Sequence, residues 1–376
     1  MLILAQHSNE FAIQILWATL FILFALTLLL LLTSLYMRWL HKRAEDKLSF
    51  YKDKFYPIIL EYVESGEDLE EMLAVFGGRN IEYSAFEKVI VDLLEYVQGN
   101  DAEKLRKLLY IDPIFNYHEE RLESKSDVIQ VRSCIYFSKI KLSDDGLIEK
   151  LQELLVHKNR FVGFSAASAL MAATDVSVRA HALQVMAQIS QVSEMALLEL
   201  LYRFKYKHDD QREEEVEHLM RIIDSDSILS DNRALLILGV SEMSYFQLGA
   251  FFYERLLSDK QKWNIPMVKT ALVYAQEYFL NMEASPHIRE LVRQDDLEVK
   301  KAAIEVLSKF RSVENESEIF AQVSGKDEEF DFFVIKILME EGYDSDEIKQ
   351  HITSSVDSKY LDRIIEMVKP ELEYAV

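Results

Sequence analysis

The feature that most constrains this chain is an uncharged, mainly apolar run near its N-terminus, from Phe11 to Met37. As an α-helix this run would be about 40 Å long, which exceeds the roughly 30 Å hydrocarbon core of a bilayer. A tilt of the helix, or placement of its ends in the interface, accommodates the excess length. The run predicts a transmembrane helix over residues 11–37, preceded by a short extracytoplasmic tail of residues 1–10.

The residues that flank this run are typical of a retained anchor and not of a cleaved signal peptide. The first ten residues contain Glu10 and no lysine or arginine, whereas a signal peptide begins with a basic region and ends at a site of small residues. By the positive-inside rule we expect the N-terminus outside and the C-terminal domain in the cytosol, as a single-pass protein of the inner (plasma) membrane. The predicted membrane-interface anchors are Trp17, Tyr36, Arg38, Trp39, Lys42 and Arg43.

The composition of the remaining chain predicts a soluble, acidic, all-α domain. The 376 residues include only 10 glycines and 5 prolines, and few segments alternate apolar and polar residues with the period of a strand. The formal net charge of -22 repels the phosphate backbone of nucleic acids, so we expect no nucleic-acid partner. Cys134 is the only cysteine, which excludes an intramolecular disulfide.

The soluble part divides into two regions by the regularity of its helical pattern. Residues 38–125 form a juxtamembrane region of irregular helices, in which Pro57 should kink the helix or make it restart. A later helix of this region has Asn100 or Asp101 as its predicted N-cap. From residue 126 to residue 376, apolar-periodic segments follow one another with short polar connectors, as in an array of helices.

A signature recurs within residues 126–376. An Asp or Asn precedes a valine by three residues, and apolar or small residues follow the valine after four and eight positions. The Asp or Asn would cap the free N–H groups of a helix start, and the apolar positions would form one buried stripe. A basic residue beside the valine would point to an acidic cap or to a neighbouring repeat. The copies are Asn159, Val162, Ala166 and Leu170; Asp175, Val178, Arg179 and Ala182; and Asp296, Val299, Lys300, Ala303 and Leu307.

This signature resembles the second helix of HEAT and HEAT-like repeats. The resemblance implies that the transmembrane helix is followed by an α-solenoid of HEAT-like helical repeats. Val162 and Val178 are 16 residues apart, less than a full repeat of about 40. Either two consecutive helices therefore carry the signature or one match is fortuitous. A tetratricopeptide-like array and an irregular α-superhelix are the alternatives.

Residues with catalytic or metal-binding chemistry occur only in incomplete arrangements. Ser165 lies in a sequence similar to a nucleophile elbow, but the preceding strand and the final glycine are missing. His118 and Glu119 form one His-Glu pair, whereas the HEAT-like metal-dependent hydroxylases need several. The densest group of potential metal ligands is His208, Asp209, Asp210, Glu214 and His218, which we interpret as a solvated connector and helix start. We predict no catalytic residue, no cofactor and no metal.

Aromatic residues between positions 246 and 279 could line a peptide groove, but their helical spacing favours the core. They are Phe246, Phe251, Phe252, Tyr253, Tyr274, Tyr278 and Phe279.

The sequence therefore predicts a membrane-anchored scaffold or adaptor whose cytosolic solenoid binds another protein. We expect two partners, the bilayer and a membrane-associated protein, and no small-molecule substrate. Similarity to bacterial accessory proteins extends the expectation to an inner-membrane envelope or exopolysaccharide-synthesis glycosyltransferase complex, by family analogy. The alternative is a HEAT-like enzyme, either a lyase or a metal-dependent hydroxylase.

Overall fold

The computed structural model describes residues 2–65, 76–94, 96–190, 192–205, 211–352 and 356–373, with side chains from residue 17 onward except that of residue 18. Over these ranges the protein is all-helical. The α-helices are α1 (Leu2–Ser65), α2 (Asn80–Leu94), α3 (Asn100–Leu108), α4 (Asp112–Leu122), α5 (Asp127–Phe137), α6 (Asp145–Leu154), α7 (Arg160–Leu170), α8 (Val176–Ala187), α9 (Glu194–Phe204), α10 (Arg212–Asp224), α11 (Ser230–Glu242), α12 (Gly249–Leu256), α13 (Pro266–Tyr278), α14 (Ser285–Leu291), α15 (Leu297–Lys309), α16 (Val313–Phe320), α17 (Glu328–Glu340), α18 (Ser345–Ile352) and α19 (Ser358–Glu373).

The first helix, α1, is long and apolar enough to cross a membrane, and it alone meets that condition in the part of the chain that the structure describes. Its apolar side chains are exposed; Phe21 is 73% exposed and Leu29 is 62% exposed. The helix does not end where the uncharged run ends, but continues from Met37 to Ser65. The apolar run and the start of the juxtamembrane region are therefore one continuous helix.

The helix α1 also passes through Pro57, so the expectation that the helix restarts there is wrong. Phe55 and Ile59, on either side of the proline, are fully buried, and the ring of Phe55 meets that of Phe86 of α2 edge-on at 5.4 Å. A proline inside a helix costs about 3 kcal/mol. Burial of each of the two large apolar side chains contributes about 1.5–3 kcal/mol, which offsets that cost.

The chain divides into two compact units, Met1–Glu120 and Arg121–Val376. In the first unit, α2 and α3 pack on α1. In the second unit, the odd-numbered helices from α5 to α19 form a row in which each packs on the next odd-numbered helix. Each even-numbered helix from α6 to α18 packs on an odd-numbered helix next to it in the chain, and among themselves α8 packs on α10, α14 on α16, and α16 on α18. We call these the odd-numbered row and the even-numbered row.

The capping residues of the signature lie at helix starts. Asn159 accepts a hydrogen bond from the amide of Phe161 (3.0 Å), and Asp175 accepts one from Ser177 (2.7 Å). Asp296 accepts one from the amide of Val299 at 3.1 Å. Helices α7 and α8 are consecutive, so the close spacing of the first two copies reflects two successive helices with the same start.

The predicted cap of α3 is wrong. The N-cap is Gly99, whose φ of 68° requires a left-handed backbone that glycine adopts at little cost, and no side chain caps the helix. Asn100 and Asp101 are instead the first residues of the helix.

The apolar positions of the signature are buried with one exception. Val162, Ala166 and Leu170 of α7 and Val299, Ala303 and Leu307 of α15 are each at most 2% exposed. In α8, Ala182 is buried but Val178 is half-buried. The buried stripe of α8 runs instead through Val176, Ala180 and Leu183, because α8 belongs to the even-numbered row and presents a different face to its neighbours.

Candidate functional site

In α8, α11 and α13 the residue four positions after the N-cap lies against the backbone at the end of the preceding helix. In three helices this residue is a buried cation that donates to carbonyl oxygens there, where the helix dipole is negative. The bonds join Arg179 Nη1 to Ala173 O (2.9 Å), Arg233 Nε to Ile223 O (3.0 Å), and Lys269 Nζ to Leu256 O (2.7 Å). Lys300 differs, since its Nζ lies 4.4 Å from the ring centre of Phe330. The basic position of the signature therefore joins helices to one another.

Arg179 also takes part in a buried network between α8 and α10. Its Nη2 lies 3.0 Å from Oε1 of Glu215, and the two side chains are 0% and 3% exposed. Tyr245 donates to the other oxygen of the same carboxylate at 3.1 Å. Burial, followed by the charge of Glu215, raises the pKa of Tyr245, so this hydroxyl stays protonated. Because the network is enclosed, we assign it a structural role.

Cys134, Ser165 and His118, which have catalytic or metal-binding chemistry, are buried or half-buried. Burial raises the pKa of Cys134 to about 12, which keeps the thiol protonated and weakly nucleophilic. Ser165 is half-buried within α7. His118 is buried, with Nε2 at 3.3 Å from Oε2 of Glu87.

The predicted ligand-rich connector is only partly described. Residues 208–210 lie outside the described residues, and His218 Nε2 lies 3.9 Å from Oε1 of Glu214 on α10. In the described ranges, no group of three or more His, Cys, Asp or Glu side chains could hold a metal ion.

An apolar groove of about 870 Å³ lies between α7 and α9 of the odd-numbered row. Phe161 of α7 and Met195 of α9 line it, and each is 76% exposed. Tyr202 lies two turns after Met195 on the same face of α9 and is 52% exposed. We call this surface the α7–α9 groove. Three exposed large apolar side chains in one concavity are typical of a protein-binding surface.

Local sequence explains why these side chains are not in the core. In α7 the buried stripe through Val162 leaves the preceding Phe161 on the opposite side. In α9 the buried residues Leu197, Leu201 and Phe204 occupy the other face of the helix. At the rim, Arg203 is held by Ser168 Oγ at 2.7 Å and by Glu199 Oε1 at 2.7 Å.

Tyr202 also begins a strip of tyrosines and glutamates that crosses α9, α11, α13 and α15. The hydroxyls of Tyr202 and Tyr278 each donate to Glu242, at 3.3 Å and 3.4 Å. Tyr274 donates to Glu305 at 2.5 Å. Burial raises the pKa of Glu277, whose neighbours include Glu305. The glutamate–tyrosine strip is Tyr202, Glu242, Tyr274, Glu277, Tyr278 and Glu305.

The strip has an acidic character that the charge of Lys309, which acts on Glu277, only partly offsets. Lys309 of α15 pairs with Glu341 at 2.6 Å, outside the strip. The strip contains three glutamates and no lysine or arginine. It therefore favours positively charged groups near the α7–α9 groove.

The aromatic residues that we assigned to the core divide between core and surface. Phe251 and Phe252 are buried, as expected. Tyr278 and Phe246 are 45% and 62% exposed, so the core interpretation is wrong for them. The reason is that Tyr278 shares the face of α13 on which Tyr274 lies, and that face is not covered by the even-numbered row.

Sequence reasoning missed Phe161, Met195, Tyr202 and Glu242. The available signal was apolar residues that stand off the buried stripe of their own helix, as Met195 does beside Leu197. It was insufficient, because single exposed apolar residues are common on protein surfaces. Only the packing of α7 against α9 brings Phe161, Met195 and Tyr202 into one groove, and only the packing of α9 on α11 places Glu242 beside Tyr202.

No protein-family model matches the chain, and no curated protein matches it. Among solved structures, one engineered protein is 16% identical with a TM-score of 0.32 over 75% of this chain and 84% of that chain. A second engineered protein is 16% identical with a TM-score of 0.24 over 68% of this chain and 96% of that chain. TM-scores of this size establish no common fold.

Proposed function

We propose that this protein is a membrane-anchored adaptor in which α1 crosses the bilayer and the second unit is a HEAT-like α-solenoid. Two observations support the solenoid. Each helix of the odd-numbered row packs on the next helix of that row. In addition, Arg179, Arg233 and Lys269 tie successive helices together from equivalent positions. Stacked helices that mainly contact their neighbours are the defining feature of solenoids.

The α7–α9 groove is the observation that carries the binding function. A partner segment would place a large apolar side chain between Phe161 and Met195, where burial from water is the main source of affinity. Lysine or arginine side chains of the same segment would lie along the glutamate–tyrosine strip. The occupant is thus a segment of another protein with an apolar anchor followed by basic residues.

Anchoring by α1 restricts the protein's search for its partner to the membrane plane and raises the effective concentration of membrane-associated partners. The basic residues Arg38, Lys42 and Arg43 favour an N-terminus outside and a cytosolic second unit at the inner (plasma) membrane. Family resemblance favours an inner-membrane envelope or exopolysaccharide-synthesis glycosyltransferase complex as the partner. That partner defines the first co-purification to attempt.

The groove is tested by replacing Phe161 with a photo-crosslinking amino acid in the full-length, membrane-embedded protein. We expect one defined crosslinked protein, and Met195→Glu should lower its yield about tenfold or more, because a carboxylate would be buried in the interface. The matched control is Val313→Glu on α16, where Val313 is 79% exposed in the even-numbered row. An equal yield from the Met195→Glu and Val313→Glu proteins contradicts binding in the groove.

A further inference from the structure

A surface cavity of about 440 Å³ lies in the first unit, beside the C-terminal end of the apolar run. Arg43 and Lys47 of α1 line it, together with Arg79 from the loop before α2. Arg43, Lys47 and Tyr51 follow one another at intervals of four residues, so they share one face of α1. The remaining lining residues are Asp46, Phe50, Tyr51 and Ile81.

The third cation is brought to this face by a fixed loop. Arg79 Nη1 donates to the hydroxyl of Tyr51 at 3.1 Å. The loop before α2 is held by the buried carboxylate of Glu82, which accepts from the amides of Gly77 (2.6 Å) and Arg79 (3.4 Å). Three cations therefore meet in one cavity although the segments that carry them are more than 30 residues apart.

Among the described residues that line the cavity, the cations outnumber the carboxylates. Asp46 is the one carboxylate among its lining residues. Within the described ranges, the structure shows no ion pair for Arg43, Lys47 or Arg79. Cations gathered at one place repel each other, so an anion that bridges them is favoured. The cavity differs in this respect from the rest of a chain whose net charge is -22.

If α1 spans the bilayer, the Arg43 end of the cavity lies nearest to the lipid headgroups. Arg43 follows Met37 by only six residues, about 9 Å along the helix. Side chains of a helix lean towards its N-terminus, which here means towards the membrane. Arg43 shows this lean, because its guanidinium lies 5.3 Å from the ring centre of Trp39, one turn earlier.

We propose that Arg43, Lys47 and Arg79 bind the phosphate of an anionic phospholipid headgroup in the leaflet from which α1 emerges. The site rests on the proposed insertion of α1 and extends it, since the lipid would fix the first unit at the membrane surface. Soluble phosphate has the same binding chemistry, and the experiment distinguishes the two sources.

The test uses full-length protein in nanodiscs that contain phosphatidylglycerol and phosphatidylcholine, with the bound lipids counted by native mass spectrometry. We expect preferential retention of phosphatidylglycerol. Lys47→Gln together with Arg79→Gln should lower that preference about 30-fold, since each cation near an anionic surface contributes a factor of about five. The control Lys107→Gln, an exposed lysine on α3, should leave it unchanged.

Tyr51→Phe separates a built site from diffuse attraction, because it removes the hydrogen bond to Arg79 and no charge. We expect a loss of preference of a few fold, because Arg79 is then no longer held at Tyr51. A preference unchanged by Tyr51→Phe and by Lys47→Gln with Arg79→Gln overturns the site. Inorganic phosphate that binds the protein, with no preferential retention of phosphatidylglycerol, assigns the site to free phosphate and also overturns the lipid proposal. Protein that fails to enter nanodiscs at all refutes the anchor instead, which makes the two failures distinguishable.

Discussion

Arg179 and Glu215 show what the basic position of the signature does at the scale of a single residue. The ion pair is almost completely removed from water, and Ala173 O and the hydroxyl of Tyr245 make further hydrogen bonds to it. A buried pair of this kind adds little net stability compared with apolar packing. Loss of one partner is costly, however, because it leaves the other charge buried without compensation.

We therefore expect Arg179→Ala to lower the free energy of unfolding by about 3–5 kcal/mol. Chemical denaturation of the full-length protein in detergent measures the change. The matched control is Arg221→Ala, which removes an exposed ion pair with Glu217 on α10 and should cost less than about 1 kcal/mol. Equal effects of the two substitutions would show that the buried network is not a stability determinant.

His287 provides a test of pH dependence at the same scale. Burial, followed by the charge of Lys269, lowers the pKa of His287, and the opposing effect of Glu290 is smaller. The unfolded chain therefore binds a proton at a higher pH than the folded chain does. The contribution of neutral His287 to stability is present above pH 6.5, the ordinary pKa of histidine, and is lost as the pH falls through the lowered pKa of the folded protein.

We accordingly expect the denaturant concentration at the unfolding midpoint to decrease in the native sequence when the pH is lowered from 7.5 to 5.5. The fall should be smaller in His287→Gln, whose side chain does not titrate. The same fall in both proteins would mean that other groups cause it.

At the scale of elements, the close approach of α6 and α7 depends on Gly163. A Cβ atom at this position would lie 2.7 Å from the carbonyl oxygen of Leu155, and this neighbour is backbone that cannot rotate away. The glycine thus occupies in α7 the position that Arg179 occupies in α8, four residues after the cap. It also sets the position of Phe161, two residues earlier, in the α7–α9 groove.

We expect Gly163→Ala to destabilise the protein by about 1–3 kcal/mol, because overpacking outweighs the better helix propensity of alanine. It should also weaken crosslinking from position 161. Gly146→Ala is the control, since its Cβ would meet only a side-chain oxygen of Asp144 at 3.4 Å. Thermal unfolding that ranks Gly163→Ala at or above the native sequence would contradict this account of the helix contact.

At the scale of the whole molecule, the features that the sequence predicts are those that depend on residues close together in the chain. The caps Asn159, Asp175 and Asp296 follow from local hydrogen bonding, and the uninterrupted apolar run follows from composition. The partner of Arg179 does not, because Glu215 lies 36 residues away and meets it only through the packing of α8 on α10. The groove escapes prediction for the same reason, since Phe161 and Met195 are on separate helices.

The proposed topology also belongs to this scale. We expect protease added to inverted membrane vesicles to digest the protein beyond residue 65, and protease added to right-side-out vesicles to leave it intact. Solubilised protein, in which both sides are accessible, is the control for intrinsic resistance. Protection in the inverted vesicles would reverse the orientation.

The proposed membrane span and the segment of α1 on which the first unit packs belong to one continuous helix. From Met37 to Ser65 the helix extends about 42 Å, at 1.5 Å per residue. A change of about 10° in its tilt, such as a bilayer of different thickness imposes, moves the far end sideways by about 7 Å. If α1 spans the bilayer as proposed, the helices α2 and α3, which pack on this segment, would move with it, and a change in bilayer thickness would displace them.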